Sequence, residues 1–123
     1  KNKVVFGLEL FLDNLLSWAN LKKRFSPLPV YPVILRDISL MLKENIKVDD
    51  VLETIKEKGA PLLQEVRIAD YYKGKQIPVG FKGLTISCLY RLDTRTLTEA
   101  EVNPLHALVC QALTEKFSVK IRS

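Results

Sequence analysis

The sequence predicts an α+β fold in which four antiparallel strands form one sheet and two helices pack on one face of it. From Pro32 onward, segments with the two-residue alternation of strands and segments with helical spacing follow in the order strand, helix, strand, strand, helix, strand. Both helical segments carry start or stop signals, and a run of prolines separates this part of the chain from the residues before it. With right-handed crossovers, two such strand–helix–strand units share one antiparallel sheet.

The residues before the proline run are predicted to form an extension of the domain. The run KVVFGLELFL is apolar and predicts a strand, and a short helical piece follows around Trp18. The stretch SPLPVYP predicts a linker, because proline removes a backbone donor and favours extended geometry in the residue before it. We therefore divide the chain into an extension with its linker, residues 1–27, and a domain, residues 28–123. Trp18 and Phe25 are expected to anchor the extension to the domain.

The first two elements of the domain differ clearly in their spacing. In VILRDISLML, Ile38, Leu40 and Leu42 alternate with other residues, which predicts a strand. In KVDDVLETIKEKGAP, apolar residues recur at helical spacing, with acidic residues in the first turn and lysines in the last, as the helix dipole favours. Gly59 and Pro61 mark the end of this helix.

Two long strands joined by a hairpin loop follow. The alternation in LLQEVRIADYY is typical of a half-buried strand, and it places on the side away from the helices Glu65, Arg67 and Tyr71. In GLTISCLYRL, the alternation places on the buried side Leu84, Ile86, Cys88 and Tyr90. The connection KGKQIPVGF contains two glycines and a proline, as an irregular hairpin loop does.

The stretch DTRTLTEAEV marks the start of the second helix. Thr98 and Glu101 stand three residues apart, which is the spacing of a capping box, where the two side chains satisfy backbone donors of the first turn. Pro104 leaves two alternatives open: it kinks a helix that begins at the capping box, or it opens the main helix with Asn103 as the cap. The terminal SVKIRS predicts the last strand. The complete order, βαββαβ, is that of a ferredoxin-like fold.

The predicted sheet has one face that no helix covers. Alternation assigns basic, acidic, hydroxyl and aromatic side chains to this open face, and our candidate RNA-binding residues among them are Asp37, Ser39, Arg67, Tyr71, Ser87, Arg91, Lys120 and Arg122. Cations contact phosphates, and tyrosine or arginine stacks on unpaired bases, which is how sheet surfaces hold single-stranded RNA. Two alternatives remain: the face is simply solvated, or the segment before Pro27 folds back over it.

Composition and residue inventory disfavour several other classes of protein. The net charge of +5 is compatible with an anionic partner. His106 is the single histidine, and no Ser/His/Asp or Cys/His catalytic set can be assembled around it, so we predict no catalytic site. The histidine and the two cysteines, Cys88 and Cys110, do not have the spacing of metal ligands, so we predict no metal site. We expect the two cysteines to be buried thiols without a disulfide, as in intracellular proteins. No apolar run approaches the roughly 20 residues that span a bilayer.

Several segments together resemble one family. These are YPVILRDISLML, ADYYKG, IPVGFKGLTISCLYR, TRTLTEAEV and the terminal KIR. In order and spacing they are similar, over residues 28–122, to the ferredoxin-fold anticodon-binding domain that ends the beta subunit of bacterial phenylalanyl-tRNA synthetase. The positions that match the family pattern are Tyr31, Pro32, Arg36, Asp37, Asp70, Tyr72, Lys82, Arg91, Arg95, Thr96, Leu97, Thr98, Glu101 and Arg122. Ala69 stands where phenylalanine is usual, Gly83 stands where serine is common, and Pro104 is outside the pattern.

The resemblance implies a function in protein synthesis. Domains of this family contact the anticodon region of tRNA(Phe), while the parent enzyme attaches phenylalanine with ATP and Mg²⁺ in its alpha subunit. This implies a cytoplasmic, non-catalytic domain, with no cofactor of its own, that positions tRNA for aminoacylation. The fold alone leaves other classes open: a general RNA-binding module, a small-ligand regulatory module or a hydrolase of the acylphosphatase type. The regulatory module usually binds at a glycine-rich turn, which KENIKVDD lacks, and the hydrolase needs a phosphate-cradling loop, which the sequence lacks.

Overall fold

The computed structural model describes residues 4–20, 22, 28–74 and 77–122, and its elements follow the predicted order. A short helix precedes the domain, which then contains four strands and two helices. The elements are α1 Leu12–Trp18, β1 Ile34–Lys43, α2 Val48–Gly59, β2 Leu63–Tyr72, β3 Phe81–Tyr90, α3 Glu99–Phe117 and β4 Lys120–Arg122. The βαββαβ order from β1 to β4, with antiparallel pairing throughout, confirms the predicted ferredoxin-like fold.

The sheet has the strand order β2-β3-β1-β4, so that β3 and β1 are the central strands. These two strands pair without any register shift, from Ile34 opposite Tyr90 to Lys43 opposite Phe81. The short β4 pairs with residues 39–41 of β1. Because residues directly opposite one another share a face of the sheet, this pairing decides which side chains enter the core.

The core lies between the sheet and the two domain helices. Alternate residues of the central strands are buried, and each helix contributes one apolar face. The buried strand residues are Ile38, Leu40, Leu42, Leu84, Ile86, Cys88 and Tyr90, and the buried helix residues include Val51, Ile55, Val102, Val109 and Leu113. Full burial of a large apolar side chain contributes about 1.5–3 kcal/mol, so this layer is the main source of stability. Both helices cover the same face, as predicted.

The buried end of β3 meets α3 through a polar contact. The hydroxyl of Tyr90 lies 3.0 Å from Nδ1 of His106, and the two rings meet edge to face. Burial lowers the pKa of His106 and raises that of the neighbouring Cys88 to about 11, so both side chains are neutral near pH 7. Cys88 is buried and Cys110 is partly buried, and both are free thiols.

The helix α3 runs continuously through Pro104. It begins at the predicted capping box, where the carboxylate of Glu101 accepts hydrogen bonds from the backbone N–H and the hydroxyl of Thr98, at 3.0 and 2.8 Å. Asn103 is not a cap, because its side-chain oxygen accepts a hydrogen bond from Arg36 at 3.1 Å. Of the two alternatives, the structure therefore has the helix that starts at the capping box. Proline in its second turn removes one backbone hydrogen bond.

The extension forms its predicted helix but not its predicted strand. Residues 4–11 lie in no strand, and that prediction is wrong because an extended segment becomes a strand by pairing with a neighbour, which this segment lacks in the described part of the chain. Trp18 is 88% exposed, so it does not anchor the extension, and Phe25 lies outside the described residues. The described residues of the extension are exposed and do not cover the open face. In the described ranges, every helix is too short or too polar to traverse a lipid bilayer.

The capping box predicts an acid-dependent loss of stability. Bidentate pairing with Arg95, together with the bonds from Thr98, lowers the pKa of Glu101 from its ordinary 4.5 to about 2. Because the folded protein favours the carboxylate, this stabilisation is complete above about pH 5 and is lost as the pH falls toward 2. The difference in unfolding free energy between the wild type and Glu101→Gln should therefore shrink from pH 5 to pH 2 in urea titrations.

The matched control is Glu53→Gln, on the exposed surface of α2. Its unfolding free energy should follow that of the wild type across the same range. A Glu101→Gln difference that stays constant from pH 5 to pH 2 contradicts the assignment of this pKa to the capping box.

Candidate nucleic-acid interface

The strand register determines which residues lie side by side on the open face of the sheet, in rows that run across the strands. Taken across β2, β3, β1 and, where present, β4, three successive rows are Arg67–Ser87–Asp37, Asp70–Thr85–Ser39–Arg122 and Tyr72–Gly83–Met41–Lys120. Neighbouring strands lie about 4.8 Å apart, so a row of four spans about 14 Å. Six of the eight candidate residues hold positions in these rows, and the side chain of one of them, Arg122, lies outside the described part of the structure.

A β-bulge in β2 puts Tyr71 on the opposite face. The pairing of β2 with β3 shifts between Ile68 and Asp70, which leaves Ala69 as an extra residue. Beyond the bulge, Tyr71 lies opposite Leu84, which belongs to the core under the helices. The prediction that Tyr71 lies on the open face is therefore wrong, because strict alternation holds for a strand without a bulge.

The same bulge brings to the open face two residues that alternation does not predict, Asp70 and Tyr72. The signal for them in the sequence is the family resemblance, which singles out this aspartate and tyrosine. Lys43 and Phe81 also share the open face, paired with each other at the ends of β1 and β3. Alternation does not identify this pair because each residue lies just outside the alternating segment that the sequence defines.

The end of the open face formed by Met41, Lys43, Tyr72, Phe81 and Lys120 is referred to below as the aromatic end. Its two rings and the methionine are partly exposed, and its two lysines are exposed. Neither lysine forms an ion pair with another residue in the described part of the chain. The aromatic end therefore combines accessible apolar surface with uncompensated positive charge.

The ring of Tyr72 lies against the backbone at Gly83. A Cβ atom added to Gly83 would fall well inside van der Waals distance of three ring carbons of Tyr72, at nearly equal distances from all three. Near-equal distances mean that the ring turns one face, not an edge, toward the strand. The opposite face of the ring points away from the sheet, and glycine at this position is what allows the ring to lie so close.

The hydroxyl groups in the middle of the open face are paired with their neighbours across the central strands. Ser87 donates a hydrogen bond to Asp37 at 2.6 Å, and the hydroxyls of Ser39 and Thr85 are 3.2 Å apart. Cross-strand pairs of this kind stabilise a sheet and also present several acceptors to solvent.

Two of the candidate arginines are paired with acidic neighbours. Arg67 donates two hydrogen bonds to Glu65, which lowers the pKa of Glu65 and raises that of Arg67. Arg91 follows β3 instead of lying in it, and its side chain is 20% exposed and 3.2 Å from Asp93. The prediction that places Arg91 in the third strand is wrong because β3 ends at Tyr90. The charges of Arg67 and Arg91 are compensated by Glu65 and Asp93, so the lysines of the aromatic end are more available to bind phosphate.

The arrangement suits the binding of an unpaired nucleobase with its phosphates. Bases stack on exposed aromatic faces, and nearby cations contact the backbone of the strand. For metal binding the described ranges offer no group of three or more His, Cys, Asp or Glu side chains placed to share an ion.

Comparison with known proteins identifies the family of this chain. The sequence model of one family, the ferredoxin-fold anticodon binding domain, matches residues 29–122. Phenylalanine–tRNA ligase beta subunits are similar to this chain: that of Clostridium tetani is 39% identical over 114 residues, which are 93% of this chain and 14% of the relative. That of Geobacillus kaustophilus is 36% identical over 120 residues, 98% of this chain and 15% of the relative.

The beta subunit of a Synechocystis species is 37% identical over 99 residues, 80% of this chain and 12% of the relative. The chain thus spans a small part of the length of each of these relatives. The family match itself extends over most of the domain, from the proline run to β4. On that evidence, the chain belongs to the ferredoxin-fold anticodon binding domain family.

Proposed function

We propose that this chain is the tRNA-binding domain of a phenylalanine–tRNA ligase beta subunit and that it holds the anticodon region of tRNA(Phe) on its open face. The observation that carries the proposal is the outward ring face of Tyr72, in the same row of the sheet as the uncompensated Lys120. Stacking of one base on an aromatic side chain contributes about 1–3 kcal/mol. Family membership and the similar beta subunits support the same function.

The shape of the open face favours unpaired bases over a duplex. Double-stranded RNA is recognised mainly through its backbone and 2′-hydroxyls, whereas sheet platforms with aromatic residues take bases that are splayed out of a loop. A row of about 14 Å across the sheet is long enough for two stacked or splayed nucleotides. An anticodon loop presents such bases.

The other open-face residues extend the proposed contact surface. Asp37, Ser39 and Ser87 offer hydrogen-bonding groups to base edges and ribose hydroxyls. Arg67 and Arg122 are positioned on strands at the two edges of the sheet, where they would contact phosphates. Contact of Arg67 with a phosphate requires that it exchange its pairing with Glu65, so we expect its contribution to be smaller than that of the lysines.

The proposed role within the parent enzyme is positioning. Holding the anticodon region fixes the orientation of the tRNA, which lets its acceptor end reach a distant active site. In this proposal the domain itself is residues 28–123, preceded by the extension of residues 1–27, and it is not catalytic. ATP, Mg²⁺ and the alpha subunit belong to the whole cytoplasmic enzyme, which uses them for aminoacylation.

The direct test is binding of tRNA(Phe) to the 123-residue chain. A gel-shift titration should show tighter binding to tRNA(Phe) than to a tRNA that differs in its anticodon, and weaker binding at the higher of two salt concentrations. Equal affinity for both tRNAs at both salt concentrations would exclude anticodon recognition by this domain.

The aromatic end predicts which lysines contact phosphates. Lys43→Ala and Lys120→Ala should each weaken tRNA binding and reduce the slope of log K against log salt by about 1, because each removes one phosphate contact. The matched control is Lys56→Ala, which removes the same charge from the exposed surface of α2 on the other layer. Fluorescence anisotropy over a salt series gives both quantities. Slopes that fall equally in all three variants contradict a localised interface and indicate a general charge effect.

The contact between Tyr72 and Gly83 predicts an effect of one added methyl group. Gly83→Ala should displace the ring from the strand and weaken RNA binding by several-fold, comparable in direction to Tyr72→Ala. The protein should stay folded, because the displaced atoms are the far end of a side chain. Gly74→Ala is the control, since a Cβ there meets no atom within 4 Å. Unchanged affinity in Gly83→Ala, with the Tyr72 ring signals of the NMR spectrum shifted, would show that the ring position is unimportant for binding.

A further inference from the structure

The open face carries a second apolar area at the end that lies farthest from the aromatic end. Leu35 and Leu89 lie opposite each other on β1 and β3, on the same face as Asp37 and Ser87. Leu35 is 56% exposed, Leu89 is partly exposed, and Val33, directly before β1, is 40% exposed. These three aliphatic residues are referred to below as the leucine end. An apolar patch on an otherwise polar face is typical of an interaction site.

The chemistry of the leucine end favours a protein partner over RNA. Leucine has no aromatic face on which a base stacks. The nearby arginines are compensated, Arg67 by Glu65 and Arg91 by Asp93, so the surroundings are close to neutral. Glu65 also lies opposite Leu89, and its carboxylate repels phosphate. An aliphatic centre with a polar, neutral rim is the composition of a protein–protein contact.

The position of the leucine end in the chain points to one partner. Because β1 begins at Ile34, the linker reaches the sheet at this end. The similar beta subunits are several times longer than this chain, and they align with the extension as well as with the domain. The extension itself exposes many large apolar side chains, among them Phe6, Leu8, Leu10, Phe11 and Trp18. Exposed apolar surface therefore lies on both sides of the linker.

We propose that the leucine end is the surface through which the domain packs against the preceding part of its own beta subunit. This inference rests on the proposed function, because it takes the chain to be part of such a subunit. The contact buries Leu35, Leu89 and Val33 against an aliphatic surface of the subunit, and removal of these side chains from water drives the association.

Docking at the leucine end leaves the aromatic end available to RNA. Leu35 and Met41 are six residues apart on β1, so the two ends of the face are separated by about 20 Å. A domain that is held at one end and binds RNA at the other keeps the anticodon region at a fixed distance from the active site. Such a fixed geometry raises the effective concentration of the RNA-binding surface for a tRNA already bound elsewhere on the enzyme.

The direct test measures the accessibility of position 35 without using activity. Leu35→Cys should react with a maleimide about tenfold more slowly in the whole synthetase without tRNA than in the 123-residue chain, which corresponds to a docked population of about 90%. Burial raises the pKa of Cys88 and of Cys110, so these native thiols react slowly. Peptide mass spectrometry assigns the label to its residue.

The matched control is Leu108→Cys, because Leu108 on α3 is 58% exposed, nearly the same fraction as Leu35. This cysteine should be labelled at the same rate in the chain and in the synthetase. Equal protection of positions 35 and 108 in the synthetase contradicts a contact localised at the leucine end.

A second test separates docking from RNA contact. In the whole synthetase, Leu35→Gln should raise KM for tRNA(Phe) several-fold and leave kcat unchanged, because an undocked domain no longer holds its RNA-binding surface at a fixed distance. The affinity of the 123-residue chain for tRNA(Phe) should not change with the same substitution. Leu108→Gln should leave both quantities at their wild-type values. Weaker tRNA binding by the Leu35→Gln chain itself would contradict the proposal, since it would place Leu35 in the RNA contact.

The outcomes distinguish this inference from the proposed function. Equal labelling of Leu35→Cys in the chain and in the tRNA-free synthetase overturns the docking surface, while tRNA binding by the chain is unaffected. Protection of position 35 that appears only when tRNA is added also overturns it and assigns the leucine end to RNA. If the chain binds no tRNA(Phe) but position 35 is protected in the tRNA-free synthetase, the proposed RNA-binding function fails and the docking surface stands.

Discussion

The unshifted pairing of β1 with β3 is the constraint on which the rest of the structure depends. Over the full length of both strands, it sends one set of alternate side chains under the helices and the other set to the open face. A slip of one residue would exchange the two sets and put leucines and isoleucines in water. The burial of the core therefore also fixes the composition of the open face, although no open-face residue takes part in that core.

The scaffold uses the charged groups of the helical side to hold α3 in place. Arg36 leaves β1 to reach Glu99 and Asn103 in the first turns of α3, and the bidentate contact between Arg95 and Glu101 closes the capping box. Many positions by which the family is recognised are engaged in such contacts. This explains why a strong family signature identifies the domain better than it locates the RNA.

The open face divides into two parts with different physical properties. In the central rows, hydroxyls, carboxylates and Arg67 satisfy one another, so that their hydrogen-bonding capacity is partly used within the protein. At the aromatic end, two lysines and two rings have no such partners in the described residues. The bulge in β2 affects both parts. It turns Asp70, in a central row, and Tyr72, at the aromatic end, toward the open face, and it turns Tyr71 toward the helices. The proposed stacking of a base on Tyr72 depends on the extra residue Ala69, because the bulge turns Tyr72 toward the open face.

Local patterns in the sequence predict the order of the elements from β1 to β4, the core positions of β1 and β3, the capping box and the open-face positions in the middle of those two strands. These features depend on local periodicity and on residues three apart, which a sequence displays directly. Tertiary contacts, which the sequence does not display, set the faces of Tyr71 and Tyr72, the continuity of α3 through Pro104 and the absence of a strand in residues 4–11. Each of these features depends on contacts with another segment. The bulge depends on the pairing of β2 with β3, the helix through Pro104 depends on its packing against the sheet, and a strand forms only where it pairs with a neighbour. The segments that make these contacts are far apart in the sequence, so a local sequence pattern does not predict the contacts.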